Sequence, residues 1–231
     1  MEKIKNYRSL SIWTVFCLVI LTFIGAQKPS SFVAVKMVWG SFLVWVVFGG
    51  YIMIKNQDKI KQYILSLKFS WQKKFIIFAT ILALIEEAIA TLMTNLAPAF
   101  GVKIGEAYLT ASANFFDVVI FHSVILFIPM FYAWTRLLNK YSFTASQVFW
   151  LFGASGTIAE FLFNQSPLGI AGLWFFVYGL MVYLPAYTLP ERAGLVIPQK
   201  KHFVLAIFYP FIFVPFTAWL PLVLKHPPLH F

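Results

Sequence analysis

The chain has 231 residues, of which 61% are hydrophobic and only 11% are charged, and its mean hydropathy is +0.81. A soluble domain carries about 25% charged residues, so this composition excludes a soluble enzyme. The 27 Phe, 8 Trp and 10 Tyr residues exclude a disordered chain. Because Cys17 is the single cysteine, an intrachain disulfide and a cysteine-based zinc site are also excluded.

Seven stretches of the sequence are long and apolar enough to cross a bilayer. A spanning helix needs about 20 mostly apolar residues, since the hydrocarbon core is about 30 Å thick. A helix also satisfies its own backbone hydrogen bonds in lipid. The sequence therefore predicts an all-α polytopic transmembrane helix bundle. It forms one integral membrane domain, with spans at residues 10–26, 32–54, 75–100, 114–138, 145–164, 168–189 and 203–224.

The basic residues are divided unequally between the two sides of this bundle. Only Lys28, Lys103 and Lys225 fall in the segments opposite the N-terminus, and Lys36 lies inside the second span. The other fourteen Lys and Arg residues fall on the N-terminal side. This asymmetry predicts a cytoplasmic N-terminus and an external C-terminus in a multi-pass protein of a prokaryotic cell membrane. The net charge of +10 then reflects contact with membrane lipids, and we expect no nucleic acid partner.

The first span also has the charge pattern of a signal peptide. Three basic residues precede an apolar run that ends at Ala26. Its removal would leave six spans, whose loops obey the charge rule equally well. We expect the first span to remain uncleaved.

Ionisable residues within the spans are candidates for function, because each costs at least about 2.5–3.5 kcal/mol to insert. Glu86 and Glu87 lie near the middle of the third span. Adjacent helical residues diverge by about 100°, so we expect at most one of them to face a given cavity. In the fourth span, Asn114 is expected to cap the helix, with Asp117 in its first turn. His122 lies about 140° around the helix from Asp117, so we expect the two side chains to stay apart.

The fifth span places Gly153, Thr157, Glu160 and Asn164 on one helical face. Its small residues favour close helix packing, and its far end presents a carboxylate and an amide. The segment Gly153-Ala154-Ser155-Gly156 is similar to the serine motif of rhomboid proteases. A serine nucleophile needs a nearby base, and the later histidines all lie at span ends or in the tail. We therefore interpret this segment as a helix contact.

The polar residues on successive spans resemble the CAAX-protease and bacteriocin-processing family of intramembrane metal-dependent proteases. That family carries EExxxR, FxxxH and HxxxN on three helices in order. The corresponding segments here are Glu86 to Thr91, Val118 to His122, and Glu160 to Asn164. Thr91, Val118 and Glu160 stand where the family has arginine, phenylalanine and histidine. The resemblance covers about half of the chain, and it implies a catalytic metal.

Two hypotheses of function follow, with a third that assigns the buried acids to helix packing in a subunit or scaffold. In the first, the protein is an intramembrane hydrolase acting on a membrane-embedded peptide or lipid. Glu86 or Glu87 and His122 are then catalytic, and a divalent metal such as zinc is held by His122, Glu160 and Asn164. In the second, the same glutamates bind a cation or carry protons in a transporter. The first hypothesis predicts that His122 and one of the paired glutamates share a cavity capped by Glu160, with Asp117 apart.

Overall fold

The computed structural model describes residues 4, 6–163 and 168–231, and its architecture is all-α. The helices are α1 (Tyr7–Gly25), α2 (Pro29–Ser66), α3 (Trp71–Asn95), α4 (Phe115–His122), α5 (Val124–Lys140), α6 (Ala145–Phe163), α7 (Ala171–Tyr187) and α8 (Lys200–Val223). Helices α4 and α5 are the two halves of a bent pair, α2 contains a π-helical segment, and α8 contains a 3₁₀ segment.

Four of these helices are long and apolar enough to cross a membrane, namely α1, α2, α3 and α8. The bent pair of α4 and α5 makes a fifth span if it is counted as one. The other two expected spans correspond to α6 and α7. Gln147, Glu160 and a run of small residues make α6 more polar, and α7 has only 17 residues. The helical membrane protein is thus supported, whereas seven spans and their orientation stay predictions.

The core lies around α7, in which every residue from Phe176 to Ala186 is buried. The helix packs against α1, α3 and α6. Glycines bring α6 and α7 together: a Cβ added at Gly153 would lie 2.8 Å from the Phe175 carbonyl oxygen, and one at Gly156 would overlap the Tyr178 ring. This close approach supports our interpretation of the small residues as a helix contact. A helix enclosed by its neighbours needs less lipid-facing length than one at the edge.

Loops gather at two ends of the bundle. At one end, the α2 terminus approaches the end of α7, where the Tyr187 hydroxyl donates to Asp58 at 2.5 Å. The α5 terminus approaches the segment before α8, where the Val196 amide donates to the Lys140 carbonyl. We call this the basic end, because most Lys and Arg residues lie there. The opposite end holds the α3–α4 loop and the C-terminal tail, which are joined by the His230 amide and the Ala111 carbonyl at 3.0 Å.

Two helices differ from their expected form. Residues 55–66 continue α2, because no Gly or Pro interrupts this polar segment, whereas we expected the second span to end near residue 54. The expected fourth span is broken at Ser123, where the backbone angles are φ −136° and ψ −78°. Val118–His122, just before the break, is a π-helical segment, and the two halves of the span meet at 48°. The π-helical segment and the break at Ser123 determine how Asp117 and His122 are arranged.

Candidate metal centre and buried carboxylates

The π-helical segment brings Asp117 and His122 together. Ser123 donates its amide to the Val118 carbonyl at 3.0 Å, so the hydrogen bond spans five residues instead of four. Residues five apart then stand one above the other. The His122 Nε2 lies 3.5 Å from the Asp117 Oδ2. Our expectation that these side chains stay apart is therefore wrong, because it assumed a regular α-helix.

The same aspartate also contacts two histidines of the C-terminal tail. His226 Nε2 lies 3.0 Å from Asp117 Oδ1, and His230 Nε2 lies 3.3 Å from Asp117 Oδ2. The Nε2 atoms of His122 and His226 are 3.2 Å apart. We call Asp117, His122, His226 and His230 the histidine cluster. One ligand atom from each of its members falls within 4.8 Å of all the others.

These spacings match those of a tetrahedral metal centre. Ligands 2.0–2.1 Å from a central zinc ion are separated by about 3.3–3.4 Å along each edge of the tetrahedron. The four separations above span 3.0–3.5 Å, with His122 and His230 measured to Asp117 Oδ2 and His226 measured to Oδ1. The other two edges, from His230 to His122 and to His226, lie within the 4.8 Å that encloses all four ligand atoms. In addition, Asp117 Oδ2 is buried and accepts no hydrogen bond, although two ring nitrogens lie near it. Imidazole and carboxylate are zinc ligands, so the donor set and the spacing both fit this ion.

The cluster is positioned from both of its sides. On the α4 side, the Asn114 side chain accepts the amides of Phe116 at 3.0 Å and Asp117 at 3.4 Å, which confirms the predicted helix cap. On the tail side, Phe121 stacks on His226 with ring centroids 4.2 Å apart. His230 is held less closely, since its side chain is 38% exposed and its Nδ1 makes no hydrogen bond.

The last residue fixes the tail on the α3–α4 loop. The Phe231 ring packs against Tyr108, with centroids 5.1 Å apart, and covers Gly105. Gly105 has φ +90°, and an added Cβ would approach the Phe231 ring to 3.0 Å. Glycine therefore satisfies both the backbone angle and the close contact.

A second polar group, which we call the carboxylate cluster, is formed by Glu86, Glu87 and Glu160. All three side chains are buried, and they interact electrostatically with one another. The Tyr178 hydroxyl donates a hydrogen bond to Glu160. Both paired glutamates are buried, because α3 packs against α2, α5 and α7. Our expectation that at most one of them faces a given cavity stays a prediction.

Ser123 connects the two clusters. Its hydroxyl donates to the Val118 carbonyl at 3.3 Å and interacts electrostatically with the nearby Glu87 carboxylate. Ser123 also follows His122 directly in the chain. His122 itself makes its ring and charge contacts with Asp117, His226 and His230. Glu160 belongs to the carboxylate cluster and is not one of the four grouped ligands, and Asn164 lies outside the described residues. The structure thus groups His122 with residues that we had not assigned to a metal. The expected set of His122, Glu160 and Asn164 stays a prediction.

Sequence analysis missed His226 and His230 as site residues. They are four residues apart in His226-Pro227-Pro228-Leu229-His230, a spacing that can serve one metal ion. We had grouped them with the tail, and their contact with His122 joins residues 104 apart in the chain.

Ser155 has a structural environment. Its side chain is fully buried, and its hydroxyl contacts the carbonyl oxygens of Leu151 at 3.0 Å and Ile207 at 2.7 Å. This hydroxyl ties α6 to α8, which agrees with our rejection of a serine nucleophile.

Comparison with known proteins does not assign the chain to a family. No protein-family model, no curated protein and no solved structure matches the chain. The resemblance to intramembrane metal-dependent proteases therefore stays a prediction drawn from three short motifs.

Proposed function

We propose that this chain is an integral membrane protein that binds one divalent transition-metal ion, with zinc the best match, at the histidine cluster. We further propose that the ion serves the hydrolysis of a membrane-embedded peptide or lipid. The observation that carries the proposal is the convergence of three imidazoles and one carboxylate, whose ligand atoms all lie within 4.8 Å of one another. Two of these ligands come from α4 and two from the tail.

In this proposal the metal supplies Lewis acidity, and the carboxylate cluster supplies the proton acceptor. A metal-dependent hydrolase needs a base near the metal. Glu87 is the carboxylate that interacts with Ser123, the residue after the ligand His122. Tyr178 holds Glu160 against the same group. Glu86 and Glu87 thus keep their proposed catalytic role, whereas the proposed ligand set becomes Asp117, His122, His226 and His230.

A second candidate is a metal-ion carrier, and one observation favours it. The carboxylate cluster is buried in the bundle, and its Glu87 interacts with Ser123, which directly follows the ligand His122. Buried carboxylates in a membrane bundle are typical of ion or proton pathways. An ion bound by the histidines would then have a second set of oxygen ligands farther inside.

Cobalt substitution distinguishes an open metal site from a closed one. A catalytic site keeps a position for water or substrate, whereas a structural site has four protein ligands. We expect the visible spectrum of the Co²⁺-loaded protein to change when acetohydroxamate is added, because a hydrolase must free one of the four positions for water. His230, the most exposed of the four ligands, is the one that this small chelator displaces. His226→Ala should abolish the cobalt spectrum, and His202→Ala, at the basic end, should preserve it.

The other outcomes decide between the remaining functions. A cobalt spectrum that does not respond to acetohydroxamate would refute the hydrolase and leave a structural ion. Uptake of Zn²⁺ into proteoliposomes, lost in Glu87→Gln with zinc binding retained, would favour the carrier instead. A folded preparation that binds neither ion would refute the metal site itself.

A further inference from the structure

A cavity of about 360 Å³ opens between α3 and α5 at the basic end, far from the histidine cluster. Two cationic side chains, Lys73 and Arg136, line it together with the amides of Gln72 and Asn139. Its floor includes Thr135, which is buried. Its lining contains hydrogen-bond donors and no acidic residue, as expected for an anion-binding site.

Neither cation is neutralised by a carboxylate within the described part of the chain. The ion pairs found there all join Asp117 to histidines at the opposite end. Of the acids at the basic end, Asp58 accepts a hydrogen bond from Tyr187, and Glu191 forms no ion pair within the described residues. The positive charge of the cavity is therefore available to a ligand.

Exposed apolar side chains lead away from both cations along the helices. On α3, Lys73 is followed at four-residue steps by Ile77, Ile81 and Ile85, which are 48%, 46% and 46% exposed. Residues four apart share one helical face, so Lys73 stands at the head of an apolar stripe.

On α5 the same pattern runs in the opposite chain direction. Arg136 is preceded at four-residue steps by Tyr132 and Ile128, which are 44% and 38% exposed. Since α3 and α5 are antiparallel, both stripes extend from the cavity toward the middle of the bundle. A cationic head above two apolar stripes matches the shape and chemistry of a phospholipid.

We propose that this cavity binds the phosphate of an anionic glycerophospholipid from the leaflet at the basic end. Arg136 and Lys73 hold the phosphate oxygens, the amides of Gln72 and Asn139 donate to the headgroup, and an acyl chain lies along Ile77 and Ile81. Basic pockets between transmembrane helices suit such headgroups. The apolar stripes favour a lipid over free phosphate, which has no acyl chain to place there.

The test compares phosphatidylglycerol, phosphatidylcholine and inorganic phosphate, each added to the purified protein in neutral detergent. Native mass spectrometry measures bound lipid, and the thermal unfolding midpoint measures stabilisation. We expect only phosphatidylglycerol to bind and to raise the midpoint. The double variant Lys73→Gln/Arg136→Gln should bind it about 30-fold more weakly, roughly fivefold for each cation removed.

The matched control is Lys59→Gln/Lys201→Gln, which removes two exposed cations from the same end but outside the cavity. It should bind phosphatidylglycerol as the unmodified protein does. An equal loss in the control would show general attraction to basic surface and overturn the proposal. Equal stabilisation by inorganic phosphate would identify a free-anion site, and equal binding of phosphatidylcholine would show that charge is not recognised.

Folding of the variants is checked separately. Both cationic side chains are exposed, so the lipid-free unfolding midpoint should not change. If the double variant nevertheless fails to fold, Arg136→Gln alone provides the comparison. Unchanged affinity of this single variant would then refute the proposal.

Discussion

Removing one ligand from the histidine cluster is the most direct test of the metal centre. The informative substitutions are His122→Ala, His226→Ala and Asp117→Asn, because these three side chains are only 13–16% exposed and lie 3.0–3.5 Å from one another. Each change deletes one donor. The helices that carry the remaining ligands keep their packing.

The size of the effect follows from the number of ligands. Structural zinc sites with four ligands bind the ion with about 10–16 kcal/mol at pH 7, which is about 2.5–4 kcal/mol for each ligand. Since about 1.4 kcal/mol corresponds to a tenfold change in affinity, each substitution should weaken zinc binding by about two to three orders of magnitude. His230→Ala should fall at the lower end, because His230 is 38% exposed and its Nδ1 has no hydrogen-bond partner.

The assay is a competition titration against a zinc indicator on the purified protein in detergent. The control is His202→Ala, which removes a histidine that caps α8 at the basic end, where its Nδ1 accepts the Gln199 amide at 3.0 Å. This control should keep the zinc affinity of the unmodified protein. An equal loss in His202→Ala, or an unchanged affinity in His122→Ala, would refute the four-ligand site.

Three further predictions concern pH, helix packing and topology. Zinc affinity should fall about 100-fold or more between pH 7.5 and 5.5, because protons compete with the ion for the ring nitrogens of the histidines; a pH-independent titration would contradict imidazole ligation. Gly156→Ala should lower the free energy of unfolding by about 1–3 kcal/mol, because its Cβ would overlap the Tyr178 ring. It should lower the thermal unfolding midpoint accordingly. Gly49→Ala, whose Cβ would find its nearest neighbour at 3.4 Å, should not; equal midpoints would mean that the ring adjusts. In a cysteine-free background, an impermeant thiol reagent added to intact cells should label a cysteine at Lys103 and not one at Gln199, and labelling at Gln199 would overturn the orientation.

The helices could be predicted from sequence because hydropathy and length act locally. The expected third and seventh spans, 75–100 and 203–224, correspond to α3 and α8, with ends that differ by a few residues. The helices differ most from the prediction at two places where hydropathy carries no information about the backbone. The continuation of α2 over residues 55–66 is mostly polar, so hydropathy does not assign it to a span. The break at Ser123 occurs without a glycine or proline at that position.

The site could be predicted only in part, because its contacts depend on geometry that periodicity does not reveal. The sequence identifies Asp117 and His122 as ionisable residues within a span. An α-helical projection places them about 140° apart, whereas the π-helical segment stacks them. The tail histidines join this pair through a contact between residues 104 apart. The Tyr178–Glu160 hydrogen bond likewise depends on the close packing that Gly156 allows between α6 and α7.

Substitution of Ser123 tests whether the histidine cluster and the carboxylate cluster act together or independently. The Ser123 side chain is not one of the four proposed ligands, and its backbone forms the break that follows His122. Its hydroxyl donates to the Val118 carbonyl and interacts electrostatically with Glu87. Ser123→Ala removes the hydroxyl and leaves all four proposed ligands in place. A hydrogen bond contributes about 0.5–1.5 kcal/mol, so we expect zinc affinity to stay within about tenfold, far from the loss produced by removing a ligand.

If the carboxylates act together with the ion, the same variant should alter whichever functional signal the unmodified protein gives. That signal is the acetohydroxamate response for a hydrolase or zinc uptake for a carrier. An unchanged signal in Ser123→Ala and in Glu87→Gln would mean that the two clusters act independently. The carboxylate cluster would then stabilise helix packing only, and the tail histidines would serve to bind the C-terminus to α4. Because both variants retain the metal ligands, this result could not be attributed to loss of the ion.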